Sequence, residues 1–156
     1  MRTIGRILAR LIIVSVGYVI ACFAVGAAIS GAIVASAWLT GEITISMAHL
    51  TAESVFFGGV LASMAAVYGF APAVLAMVVA EVFRIRRALY HVLCGGLAGA
   101  LGYVAASPPA RFETAGALDA AFGGRIALFV AAGLIGGFVY WLVAGRTAGV
   151  LERPPA

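Results

Sequence analysis

Four stretches of this chain, 11–41, 54–80, 88–110 and 126–145, contain no Asp, Glu, Lys or Arg. A helix needs about 20 mainly apolar residues to cross the roughly 30 Å hydrocarbon core of a bilayer, at about 1.5 Å per residue. Each stretch meets that length. In hydrocarbon, backbone N–H and C=O groups must find partners within the protein, and a helix satisfies its own. The expected fold is therefore all-α: an integral membrane bundle of four transmembrane helices at about 11–39, 54–82, 88–106 and 124–145. Residues 1–156 form one such domain. A short arginine-rich segment, 82–88, joins the second and third helices. Two outer loops, 40–53 and 107–123, join the other pairs.

Charge content leads to the same solvent. Charged residues are 10% of the chain, against about 25% in a water-soluble domain, and mean hydropathy is +1.14. The lipid bilayer is thus the first expected partner. The formal charge of +4 has no soluble face on which to meet nucleic acid, so no nucleic-acid partner is expected. All ten basic residues are arginine, and Ala and Gly are abundant. That bias suits a GC-rich bacterial coding sequence, hence a bacterial inner membrane. Cys22 and Cys94 lie inside apolar runs with no CxxC pairing, so neither a disulfide framework nor a zinc site is expected.

Arginine placement sets the expected orientation. Arg2, Arg6 and Arg10 precede the first helix, Arg84, Arg86 and Arg87 lie between the second and third, and Arg146 and Arg153 follow the fourth. Only Arg111 and Arg125 fall on the opposite side. Cytoplasmic loops carry the excess of Lys and Arg, which places both termini in the cytoplasm. Trp38, Phe56 and Phe57, and at other ends Tyr103, Tyr140 and Trp141, suit interfacial aromatic belts.

Two processing signals are weighed at the N-terminus. Val19-Ile20-Ala21-Cys22 loosely resembles a lipobox, and Val25-Gly26-Ala27 or Ala35-Ser36-Ala37 has the small residues of a cleavage site. The apolar run continues to Leu39, well past the roughly 7–15 residues of a signal core, so a retained first helix is expected.

Lipid tails are as apolar as leucine, so helices associate in a membrane by close backbone approach at small residues. Gly95-x-x-x-Gly99 and Gly133-x-x-x-Gly137 are the helix-packing candidates in the third and fourth helices. Gly26-x-x-x-Ser30 and Gly58-x-x-x-Ala62 offer the same spacing in the first two. Such seams serve packing within the bundle, a homo-oligomer, or a larger membrane complex. An alanine- and glycine-rich chain also produces these spacings by chance.

Pro72 lies inside the second stretch, just after Tyr68-Gly69-Phe70. It cannot donate its backbone bond, so a kink is expected there, with a freed carbonyl near Tyr68. That carbonyl, or Ser30, is the expected partner of the Tyr68 hydroxyl. Tyr68, Gly69 and Pro72 are thereby the candidate kink or pathway residues. Arg84, Arg86 and Arg87 are candidates for anionic-lipid contact.

Ionisable residues within a span are costly and usually functional, and none lies near the middle of any stretch here. Glu81 ends the second stretch and is expected to pair locally with Arg84 at (i, i+3). His49 and Glu53 stand at (i, i+4), and His49 and His91 fall on opposite membrane faces, too far apart to share one metal. Glu42 to Met47 alternates with period two, as a short strand or surface segment would, and Phe112, Leu118 and Phe122 suit a short amphipathic helix. No nucleotide loop, nucleophile with its base, or metal motif is present, so no catalytic residue, cofactor or metal is expected.

In size and helix count the chain is similar to small bacterial multidrug and fluoride exporters. It lacks a membrane-embedded glutamate in its first helix and a run of polar pore residues. The function expected first is a non-enzymatic accessory, assembly or scaffold component of the membrane. The alternative is a small oligomeric channel or carrier for ions or small solutes. A membrane enzyme ranks third, since it would depend on His49, Glu53 or Glu81.

Overall fold

The computed structural model describes residues 2–41, 47–106 and 120–148, with backbone alone at 2–4, 6, 47–52 and 120–123. Within them the chain is helical: α1 (Arg2–Leu39), α2 (Met47–Tyr68), α3 (Phe70–Val82), α4 (Ala88–Ala106), α5 (Ala120–Val143) and a closing 3-10 turn, Gly145–Thr147. Three helices are long and apolar enough to cross a membrane, or four if α2 and α3 count as one bent span.

The boundaries differ from expectation at three places. The first helix begins at Arg2, so Arg10 is within it instead of flanking it. Residues 47–53, expected in a loop, already belong to α2, which places the backbone of His49 and Glu53 on one helix. The last helix starts at Ala120, and its end tightens into the 3-10 turn. The expected strand and most of the expected amphipathic helix, at 42–46 and 107–119, lie outside the described residues.

The bend in the second span is larger than a kink and earlier than Pro72. The chain breaks at Gly69, and α2 and α3 meet at 63°. Pro72 is the third residue of α3, within a first turn that needs no intrahelical N–H donor. Gly69 has φ −83° and ψ −7°, and a Cβ there would stand 2.6 Å from the Ala65 carbonyl oxygen. Bare backbone suits that corner.

The helices pack as a four-cornered bundle in which α1 contacts α2 and α5, and α5 contacts α4. The α2/α3 pair meets α4 at few points. Small residues set the close approaches. A Cβ on Gly95 would stand 2.7 Å from the Cα of Gly137, and one on Gly99 3.3 Å from the Cα of Gly133. On the other side of α1, a Cβ on Gly26 would lie 2.9 Å from the Ala62 nitrogen. Gly136 faces the Val25 side chain of α1, at 2.6 Å from an added Cβ.

Chain reversal between α3 and α4 follows from local backbone chemistry. Arg84 has φ +55°, a left-handed conformation usually held by glycine, and the Ile85 N–H donates to the Ala80 carbonyl at 2.9 Å. This is the six-to-one bond of a Schellman cap. An arginine there costs roughly 1 kcal/mol more than glycine would.

The contrast between seam and surface glycines is testable. Gly31→Ala enters open space and is expected to be neutral or stabilising by up to about 1 kcal/mol. Gly137→Ala pushes a methyl against the His91 carbonyl and the Gly95 backbone, and is expected to destabilise by about 1–3 kcal/mol. Reversible unfolding of both variants in mild detergent measures the difference.

Candidate functional site

One end of the bundle gathers the start of α1, the α3–α4 connection and the end of α5. Arg10 is at its centre, 8% exposed. Its Nε donates to Glu81 Oε1 at 2.7 Å, its second nitrogen to Thr147 Oγ1 at 2.7 Å, and its third to the Ala144 carbonyl at 2.9 Å. Arg10 and Glu81 also form an ion pair through Nη2. One planar guanidinium thus joins three segments, a task its fixed fork of donors suits. Arg84 was the local partner expected for Glu81. A long-range partner joins it: Arg10, 71 residues away in the chain, pairs with Glu81.

The same end is stitched again around Arg86. Its Nε donates to the Ala148 carbonyl at 2.8 Å, and Trp141 Nε1 donates to the Arg86 carbonyl at 2.8 Å. Trp141 therefore anchors the α3–α4 connection. Arg146 lies over the Trp141 ring at 5.9 Å. Tyr140 and Tyr103, expected in aromatic belts, are buried instead. Tyr140 packs on the His91 ring at 5.6 Å, and Tyr103 on Phe129 at 5.0 Å.

His91 is 5% exposed. Its Nδ1 lies 3.2 Å from the Arg87 carbonyl, which can only accept, so Nδ1 carries the proton. The lone pair on Nε2 is buried and has no hydrogen-bond donor. That edge of the ring faces Gly145, where an added Cβ would stand 2.9 Å from Nε2. Expected as an interfacial marker, His91 is a packed interior group.

Beside this knot a half-open pocket of about 170 Å³ lies between the helices. Tyr18 and Cys22 of α1, Met77 of α3, Cys94 and Ala98 of α4, and Gly136 of α5 are among its lining residues, and its walls are almost entirely apolar. It is slightly larger than the roughly 150 Å³ apolar cavities that stay dry and accept benzene.

The break between α2 and α3 adjoins this cavity. Tyr68 and Gly69 line it, and Pro72 follows in the first turn of α3. The tyrosine that reaches a carbonyl here is Tyr18, whose hydroxyl donates to Ala66 at 2.8 Å and whose ring meets Phe70 edge-on at 6.0 Å. Ser30, considered as a partner for Tyr68, donates to Ala27 in its own helix at 3.2 Å.

The structure brings Gly95, Gly99, Gly133 and Gly137 together in one α4–α5 seam. Arg84, Arg86 and Arg87 are exposed together at the arginine-bearing end. Among the described residues, no three His, Cys, Asp or Glu side chains converge as a metal site. Sequence reading missed the role of Arg10. Its signal was present: Arg10 and Glu81 are the charges directly bordering two apolar runs, and both runs reach them at the same membrane face.

Comparison with family models, curated proteins and solved structures returns no match to this chain, and its site is read from its own residues.

Arg10→Ala removes the guanidinium that pairs with Glu81, whose side chain is 28% exposed, and is expected to destabilise the bundle by about 1–3 kcal/mol. Replacing both partners, as Arg10→Met with Glu81→Leu, is expected to cost less than Arg10→Ala alone. A double-mutant cycle on Arg10 and Glu81, read by reversible unfolding in detergent, is expected to give a coupling of about 1–3 kcal/mol.

Proposed function

We propose that this protein is a multi-pass component of the bacterial inner membrane with four spans and both termini in the cytoplasm. Its role is that of a non-enzymatic accessory, assembly or scaffold subunit. The bent α2/α3 pair then serves as the second span, and the arginine-bearing end faces inward, as the positive-inside rule requires.

The observation that carries this reading is the character of the interior. The space between the helices is walled by apolar side chains and small residues, and the polar cluster around Arg10 ties three segments together. Guanidinium donors engaged in this way build a rigid end and offer little to a reacting substrate. Apolar residues cover the outer faces of the helices, among them Phe57, Leu75, Leu93 and Leu97. Such faces suit lipid or the helices of a larger membrane complex.

A second reading, a small oligomeric channel or carrier, is favoured by one observation: the Tyr68-Gly69-Pro72 break borders the internal cavity. Broken helices are a recurring device at transport sites. The nearly apolar walls favour the scaffold reading, because ions and polar solutes would find few partners there.

Gentle extraction followed by native mass determination is expected to yield a homo-oligomer or a complex with another membrane protein. A strict monomer that co-purifies with nothing counts against the scaffold role. Tags at both termini are expected to remain shielded in intact spheroplasts. Solute flux above empty vesicles after reconstitution would favour the carrier instead.

A further inference from the structure

We propose that the half-open apolar pocket is a lipid site, taking part of one acyl chain of an anionic phospholipid whose headgroup rests on the arginines of the α3–α4 connection. The inference holds whether the bundle is a scaffold or a carrier, and rests only on its lying in lipid.

Shape is the first argument. The cavity touches α4 from His91 to Ala106, about 22 Å of helix. A single leaflet's hydrocarbon is about 15 Å deep. A space this long, with apolar walls and an open side, suits a stretch of a flexible unbranched chain.

Access is the second. The α2/α3 pair approaches α4 at few points. Near one end of α4 the Tyr90 hydroxyl donates to the Ala76 carbonyl at 3.0 Å. Toward the other, a Cβ on Gly102 would lie 4.0 Å from the Gly69 nitrogen. Between these contacts the pocket is lined by small side chains, Ala73 of α3 and Cys94 and Ala98 of α4. A chain from the surrounding bilayer can enter there without unpacking the α4–α5 glycine seam.

Charge is the third. The two helices that flank this entrance are joined by the segment bearing Arg84, Arg86 and Arg87, all exposed. Arg86 commits its Nε to the Ala148 carbonyl. Arg84 keeps a charged side chain at a left-handed position that glycine would occupy more easily. An anionic headgroup at the entrance therefore meets a cluster of guanidinium groups, while its chain enters an apolar-walled space.

The test uses the purified full chain in mild detergent, with phosphatidylglycerol and phosphatidylcholine of identical acyl composition, read by native mass spectrometry. One phosphatidylglycerol per chain is expected, favoured about tenfold or more over phosphatidylcholine. Arg84→Gln and Arg87→Gln are each expected to reduce that preference by up to about fivefold. Ala98→Phe fills the cavity and is expected to abolish retention while the thermal transition persists. Equal binding of the two lipids, or a folded Ala98→Phe variant that keeps its lipid, overturns the proposal.

A wild-type measurement covers the case in which Ala98→Phe fails to fold. Phosphatidylglycerol carrying a photoreactive group in its acyl chain is expected to label Met77, Cys94 or Ala98. Labelling confined to the outward-facing Leu93, Leu97 and Leu101 overturns the proposal. These readouts are independent of oligomeric state and co-purification, so failure of the scaffold reading is distinguishable from failure of this one.

Discussion

Contact between bare backbones holds this bundle together. Apolar side chains gain little from leaving lipid for one another, so what remains is dispersion between surfaces that fit closely. The α4–α5 seam provides such a fit. Gly95, Gly99, Gly133 and Gly137 mesh so closely that a single added methyl group meets main-chain atoms of the facing helix. That approach presses the His91 ring against Tyr140 and sets the end of α5 beside Arg10. The polar knot is built on a platform that the glycines make.

The knot solves a separate problem. Helix ends leave backbone carbonyls without partners, and three segments terminate at the arginine-bearing end. Arg10 and Arg86 each satisfy one such carbonyl near the end of α5, while Trp141 reaches back to the loop before α4. Arg10 also pairs with Glu81, which ties the end of α3 to α1. Few groups achieve much here because each does two jobs. By contrast, contact between the α2/α3 pair and α4 is thin, and the internal space borders it. One side of the bundle is locked and another is left loosely closed, an arrangement that suits a site filled from the side.

Much of the helical layout was legible in the sequence, because exclusion of charge from four long runs has few other causes. The α4 limits follow directly from Arg87 and from Ser107-Pro108-Pro109. Misplacements arose where a rule about single residues met its surroundings. Pro72 does disturb the second span, but the distortion falls at Gly69, the nearest residue without a Cβ to obstruct a sharp turn. Tyr140 reads as interfacial because tyrosine near a helix end commonly is, yet a histidine on a neighbouring helix provides a packing surface for it. Of the small-residue motifs, spacing alone could not tell Gly95 and Gly133, which meet a neighbour, from Gly31, which faces open space.

The sequence by itself determined the apolar character of the long helices and their approximate limits, because these depend on transfer energies summed along the chain. Tertiary structure alone decided that Arg10 pairs with Glu81, that Tyr18 caps the Ala66 carbonyl, and that an apolar slot opens beside α4. Those outcomes depend on which faces of distant helices meet. The physical reason is that membrane helix pairing turns on ångström-scale shape, and a one-dimensional pattern of small residues carries spacing without saying which partner will fill it.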